Sequence, residues 1–392
     1  MKYKKISNEI VKSVKFFIKK RYVPLHEPCF KKNDFDSMNK CLRSSFVSTV
    51  SKFTNSFEEK IKKLTKSKYS IATVNGTSAI QIAIKSCGIK KNDEILIPNL
   101  NYIGSTNATI YCNAIPHFVD VESETLGIDP IKLEKYLQKI CTVKKNITIN
   151  KISKRNIKAI LPTHVFGNSS KIVEIIKIAK KFNLKVIEDA SECVGSYYKN
   201  KHLGVFGDVG VLSFNGNKII TTGGGGAVIT NNKKIYQKAY SLSTISRKKN
   251  SGWSYDYDDV GYNYRLPGIN SSLGISQLKN LSYLLKTKRK IFLEYKRIFK
   301  DNIHFKLIDE PNNTKSNHWL NTICIFNSNI KLRDQIIKET NKKGIGIRPV
   351  WKLMHKIKHL SKYPRMNIQN SEKLEKCLIN LPSSPNLYEK KL

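Results

Sequence analysis

Residues 209–226 read VGVLSFNGNKIITTGGGG. The run 209–214 is apolar and β-branched, the length of a buried strand. It passes directly into small polar residues, Lys218, the pair Thr221-Thr222 and four glycines, Gly223 to Gly226. A lysine just past a strand suits Schiff-base chemistry, which needs an amine activated by burial or by neighbouring cations. Glycines permit tight turns and close approach of a ligand or a neighbouring chain, although a bare hairpin explains such stretches more often.

Working outward, the same kind of run recurs at 70–74, 94–98, 115–121, 157–163, 184–188 and 227–230. Helical apolar spacing falls between these runs, at 78–87, 131–138, 171–182 and 233–242. Seven strands alternating with helices predict an α/β fold with a mostly parallel sheet, whose ligands gather at the strands' carboxyl ends. Past residue 280 the pattern changes to a Lys-rich helix at 281–299, a strand at 319–326, a helix at 332–342 and a strand at 345–350. We therefore expect an N-terminal segment at 1–40, a large α/β domain at 41–280 and a smaller C-terminal α+β domain at 281–392.

Two further motifs lie on the same α/β unit. Asn75-Gly76-Thr77-Ser78 follows a strand and opens a helix. Free N–H groups there, with hydroxyls beside them, make an anion cradle. By itself such a tetrapeptide is more commonly a plain capped turn. Val186-Ile187-Glu188-Asp189 runs a strand into an acidic pair. Its Asp either pairs with a cationic ring nitrogen or caps a helix. Together, and in this order, an anion cradle, a strand-end Asp and a Ser-x-x-x-x-Lys segment are the parts of a pyridoxal phosphate site: phosphate holder, pyridinium partner and Schiff-base lysine.

Composition narrows the alternatives. The chain has 392 residues, 40% of them hydrophobic and 26% charged, ordinary for a globular protein with a full core. No apolar run approaches the roughly 20 residues of a membrane-spanning helix, which excludes an integral helical membrane protein. Residues 6, 10, 14, 17 and 18 mark an amphipathic surface helix rather than a signal sequence. Eight dispersed cysteines with no C-x-x-C pair read as reduced thiols in cytoplasm, with no zinc site or disulfide framework. The net charge of +40 raises nucleic-acid binding. Lysine rather than arginine supplies most of it, however, and no basic block carries interleaved aromatics, as expected of a Lys-, Ile- and Asn-rich composition from an AT-rich genome. That argues against nucleic acid as the partner, while a positive field suits small anionic substrates.

With these residues in place, the chain resembles the nucleotide-sugar aminotransferase family of the DegT/StrS type, pyridoxal-phosphate enzymes of the aspartate aminotransferase fold. The resemblance runs from PLHEP at 24–28 through NGTS at 75–78, LPTHVFG at 161–167 and EDASE at 188–192. It continues through GDVGVLSFNGNK at 207–218, TTGGGG at 221–226 and VGYNYRLP at 260–267 to RPVW at 348–351. It is most similar to the branch of legionaminate-, bacillosamine- and perosamine-type pathways. The resemblance implies an aspartate aminotransferase-like large domain and pyridoxal 5'-phosphate as cofactor. The substrate would be a nucleotide-diphosphate 4-keto-6-deoxy sugar, aminated with glutamate as donor, in a cytoplasmic homodimer with shared active sites.

The residue roles it implies are specific. Lys218 holds the cofactor and moves protons, Asp189 keeps the pyridine nitrogen protonated, and Gly76, Thr77 and Ser213 bind the phosphate. Asn263 reaches the phosphate of the neighbouring subunit, and Tyr102 stacks on the cofactor unless it is a core tyrosine. Glu192 stands near the phenolic oxygen, where many relatives have Gln or His; a carboxylate there repels a phenolate unless one of them is protonated. Asn215 and Gly224 replace a His and a Glu common elsewhere. Ser51 replaces a Gly in a segment expected to touch substrate. His164, Arg265 and Arg348 are substrate candidates, each with a structural alternative: a core histidine, a dimer brace and a surface ion pair. Lys218 argues against the related sugar dehydratases, which carry His in its place.

Overall fold

The computed structural model describes residues 2–248, 253 and 255–387. Residues 1, 249–252, 254 and 388–392 of the expected segments lie outside the described residues. The central sheet runs Tyr69–Thr73, Gly226–Thr230, Val209–Ser213, Lys185–Asp189, Asn156–Ile160, Glu94–Pro98, Ile115–Val119. Gly226–Thr230 is antiparallel to both its neighbours, and the other six strands run the same way. Near-continuous burial of these strands reflects helices packed on the sheet, as parallel sheets require. The expected mostly parallel sheet holds, and all seven expected strands belong to it.

A hairpin, Cys141–Lys144 with Ile147–Asn150, extends the sheet beside Asn156–Ile160 and was not expected from the sequence. The strand expected at 157–163 stops at Ile160. Pro162 has no N–H to give, though its carbonyl still accepts from Asp189 N at 2.9 Å. The helix Ile103–Tyr111 was also missed, because IGSTNATIY carries small and polar residues rather than an apolar stripe.

The predicted helix at 281–299 is the second half of a longer one, Gly268–Ile298. Its first turns are small and polar, yet Ser271, Ser272, Ser276 and Gln277 are buried. Gly274 lets the ring of Phe57 press onto the helix, since a Cβ there would lie 2.5 Å from Phe57 Cε2. The boundary expected after residue 280 falls inside this helix, and that expected after residue 40 falls inside the helix Lys32–Arg43. A second sheet follows, ordered Phe305–Leu307, Asn321–Ile325, Leu378–Leu381, Arg348–Pro349. The strand expected at 345–350 shrinks to Arg348–Pro349, while Ile345 bridges Val23.

The N-terminal helix Lys2–Phe17 is amphipathic as expected. Its apolar face is part of the second core, where Ile6, Ile10, Val14 and Ile18 are fully buried with Tyr295, Phe299, Phe305 and Ile336. Removing a buried Ile side chain down to Cβ costs about 2–5 kcal/mol. Ile10→Ala is therefore expected to lower stability within that range in urea unfolding. Lys12→Ala, on the same helix, should stay within about 0.5 kcal/mol of the parent.

Candidate active site

The strand Lys185–Asp189 delivers Glu188 and Asp189 to its carboxyl end, and the pleat sends them to opposite faces. Glu188 turns into the protein. It accepts from Gly204 N at 3.0 Å and from Phe206 N and Gly207 N at 2.6 Å, and it meets His164 Nε2 at 2.9 Å. His164 Nδ1 in turn accepts from Ser170 N at 3.1 Å. His164 is thus fully buried and committed on both ring nitrogens, away from the cavity. The substrate role considered for it does not fit its position; it braces the strand end.

Asp189 faces a cavity of about 340 Å³. Ser105 Oγ donates to its Oδ2 at 2.6 Å, and Ser191 N to its Oδ1 at 3.1 Å. Among the described residues no Lys, Arg or His pairs with this buried carboxylate. Across the cavity the helix Gly76–Ser86 begins, capped by Asn75 Oδ1 on Ser78 N at 2.8 Å. The first N–H groups of a helix lack intrahelical acceptors and draw anions. Gly76 is pressed to the strand Val209–Ser213, where an added Cβ would lie 3.1 Å from Ser213 Cβ. Gly104 leaves room for the Tyr102 ring and Thr77, which would meet a Cβ at 3.1 and 3.0 Å. Tyr102 is more than half exposed at the cavity, not a core tyrosine.

Lys218 enters from the turn after Val209–Ser213. Its Nζ lies 3.4 Å from Glu192 Oε1 and 3.8 Å from the centroid of the Trp319 ring. Glu192 Oε2 accepts from Phe166 N at 2.8 Å, which the left-handed turn at Phe166 (φ 56°) presents. Burial nonetheless pushes the Glu192 carboxyl above its ordinary range, with Lys218 and the Phe166 N–H pulling the other way. Asn317 ties this wall to the second sheet: its Nδ2 donates to Glu192 O at 2.8 Å and Val194 O at 2.9 Å, and its Oδ1 accepts from Trp319 N at 2.9 Å. Trp319 Nε1 donates to Asn217 O at 2.7 Å, on the lysine's own turn.

The structure thus brings Gly76, Thr77, Tyr102, Asp189, Glu192, Ser213, Lys218 and Arg348 around one cavity. Asn263 and Arg265 lie elsewhere, on a second cavity of about 400 Å³ with Ser51, Asn55 and Tyr255. Arg265 is paired with Glu58 through Nη1 and Nη2, one to each carboxylate oxygen. Ser51 caps the helix Lys52–Thr65, its Oγ accepting from Phe53 N at 3.2 Å. Sequence reasoning missed Ser105, Trp319 and Trp351. Two of the chain's three tryptophans line this cavity, and that rarity was the available signal.

The donor set fits pyridoxal phosphate. A buried carboxylate without a cation awaits a protonated ring nitrogen, a helix N-terminus awaits a phosphate, and an amine stands between them. Buried polar atoms on the same wall, Ser191 Oγ, Thr163 Oγ1 and Asn101 Nδ2, have no hydrogen-bond partner among the described residues.

A fold and a site of this kind define a pyridoxal-phosphate-dependent aminotransferase. Residues 28–392 match the DegT/DnrJ/EryC1/StrS aminotransferase family, and the chain belongs to it as a sugar aminotransferase that uses pyridoxal phosphate. It is 32% identical to the GDP-perosamine synthase of Escherichia coli O157:H7 over 374 residues, 94% of each protein. It is 30% identical to the UDP-4-amino-4,6-dideoxy-N-acetyl-beta-L-altrosamine transaminase of Campylobacter jejuni serotype O:23/36, over 89% of each. Among solved structures it superposes on Helicobacter pylori PseC, an aminotransferase of pseudoaminic acid biosynthesis. The TM-score is 0.84 and the identity 26%, covering 93% of this chain and 94% of the other.

Because burial raises the Glu192 pKa on folding, the folded protein holds this proton to higher pH than the unfolded chain does. Stability therefore falls as pH rises from the ordinary Glu range, near 4.5, through the folded pKa. Glu192→Gln removes that slope. Urea titrations of the cofactor-free protein from pH 4.5 to 8 should show the variant gaining on the parent as pH rises. A constant difference would mean that Glu192 does not titrate in this window.

Proposed function

We propose that this enzyme aminates the keto carbon of a nucleotide-diphosphate 4-keto-6-deoxy sugar, with glutamate as amino donor, for surface glycan or nonulosonate synthesis. The observation that carries the reading is the convergence of Lys218, Asp189 and the Gly76-Thr77 helix start on one cavity. The names of the relatives support the nucleotide-sugar class. Pyridoxal phosphate, when bound, supplies an electron sink for the carbon that loses or gains a proton.

The chain's own residues do the rest. Lys218 Nζ acts as base toward the α-proton of the donor, and as acid toward the sugar carbon that becomes aminated. The Asp189 carboxylate holds positive charge on the ring nitrogen, with Ser105 and Ser191 fixing its two oxygens. Gly76, Thr77 and Ser213 take the phosphate, and Tyr102 covers the ring face. Glu192 sits within reach of Lys218 Nζ and holds or releases a proton beside it. Arg348, at the cavity edge, takes an anionic group of donor or sugar. In this reading residues 41–280 supply the floor of the cavity, and residues 281–392 supply the wall of Trp319, Arg348 and Trp351. The eight cysteines, dispersed and without a C-x-x-C pair, agree with a cytoplasmic location.

The second cavity supports a homodimer. Exposed Val50 lines it, and Asn263 is exposed there rather than on the cavity of Lys218 in its own chain. In a dimer with shared sites, Asn263 of one subunit completes the phosphate site of the other.

Two measurements test this. Protein loaded with pyridoxal phosphate should show a visible absorption band that glutamate bleaches and that Lys218→Ala never forms. No band in the parent would overturn the assignment, and a band that glutamate leaves unchanged would overturn the donor. Secondly, K218A and N263A homodimers, each inactive, should regain about a quarter of the parent activity when unfolded and refolded together. Half of the dimers would be mixed, and each would hold one intact site. No recovery would mean that Asn263 serves its own chain.

A further inference from the structure

Cys324 and Cys377 are 53 residues apart in the chain, and the second sheet places their Sγ atoms 3.0 Å apart. Cys324 sits in Asn321–Ile325, and Cys377 immediately precedes Leu378–Leu381, the antiparallel neighbour. Ile325 N donates to Cys377 O at 2.9 Å, which locks the two backbones at the point of contact. Both thiols are only partly covered, whereas Cys29, Cys41, Cys112, Cys141 and Cys193 are buried. The remaining partly covered thiol, Cys87, is pushed up to about 12 by desolvation.

We infer that Cys324 and Cys377 form a dithiol site that closes reversibly to a disulfide on meeting a low-molecular-weight disulfide such as oxidised glutathione. The two sulfurs are unequal, as an attacking and a resolving thiol should be. The hydrogen bond between the two sulfurs, helped by Lys306 directly opposite on Phe305–Leu307, holds Cys324 below the ordinary thiol range. Cys377 is pushed far above it by the same bond and by burial. In the first step the Cys324 thiolate attacks one glutathione sulfur, forming a mixed disulfide and releasing one glutathione thiolate. In the second, Cys377 gives up its proton, attacks Cys324 Sγ and releases the other glutathione. Two protein thiols are oxidised, one glutathione disulfide is reduced, and the two protons leave on the two glutathiones. Aminotransfer plays no part in this step.

The test exposes the folded, full-length protein to oxidised glutathione, then unfolds it in the presence of an alkylating agent and maps its peptides. The expected result is a single cross-link between Cys324 and Cys377, reversed by dithiothreitol, with the other six cysteines alkylated. The oxidised protein should also melt at a higher temperature than the reduced one, since the bond closes a long loop. Cys377→Ser, lacking the resolving thiol, should retain glutathione on Cys324. Alkylation of all eight cysteines, or a disulfide or adduct confined to other positions, would overturn the assignment.

Discussion

Glu188 and Asp189 are adjacent on one strand, and the pleat gives them opposite environments. Glu188 is saturated by three backbone N–H groups and His164, so the end of Lys185–Asp189 is held at a fixed height. A charged carboxylate inside a protein is tolerated only when its oxygens are occupied in this way. Its neighbour is left with two light contacts from Ser105 and Ser191, and hence with negative charge to spend on a ligand. Lys218 and the helix start at Gly76 are placed relative to that strand end through the parallel pairing of Val209–Ser213 and the contact of Gly76 with Ser213. The arrangement of this cavity is therefore a consequence of how one strand terminates.

The second sheet reaches the same cavity through a few directional bonds. Asn317 holds the backbone at Glu192 and Val194 with its amide and the Trp319 N–H with its carbonyl. The Nζ of Lys288, buried in the long helix, meets His26 Nε2 at 3.0 Å and donates to Trp319 O at 3.1 Å and Ser383 O at 2.5 Å. Burial pulls that lysine well below its ordinary range, and His26, Trp319 O and Ser383 O replace the water its amine loses. One side chain thus joins the N-terminal segment, the long helix and the sheet at the residue that packs on Lys218. This explains why the helix Gly268–Ile298 has no break at position 280: it is the shaft to which both sheets are fastened.

Most of the central sheet was legible in the sequence, because six strands are buried on both faces and read as unbroken β-branched runs. The elements that were not legible share a cause. Ile103–Tyr111 and the first turns of Gly268–Ile298 bury Ser, Thr, Gly and Gln, whose partners come from distant segments, so no apolar period marks them. The site residues divide in the same way. Gly76, Asp189, Ser213 and Lys218 stand at strand ends and helix starts, where sequence order predicts position. His164 and Arg265 stood equally well in their motifs, and only their partners, Glu188 and Glu58, remove them from the cavity.

Local sequence was enough for the succession of strands, the helix start at Gly76, the strand-end Asp and the lysine beyond the next strand. Each of these depends on residues within a few positions of one another. Which side chains face one another was decided by packing across the chain: Trp319 over Lys218, Glu192 beside it, Asn263 on a separate surface, and Cys324 against Cys377. Such pairings join positions tens to hundreds of residues apart. Their geometry is fixed by strand register and by bonds such as those of Asn317 and Lys288, which have no period and leave no mark in the order of residues.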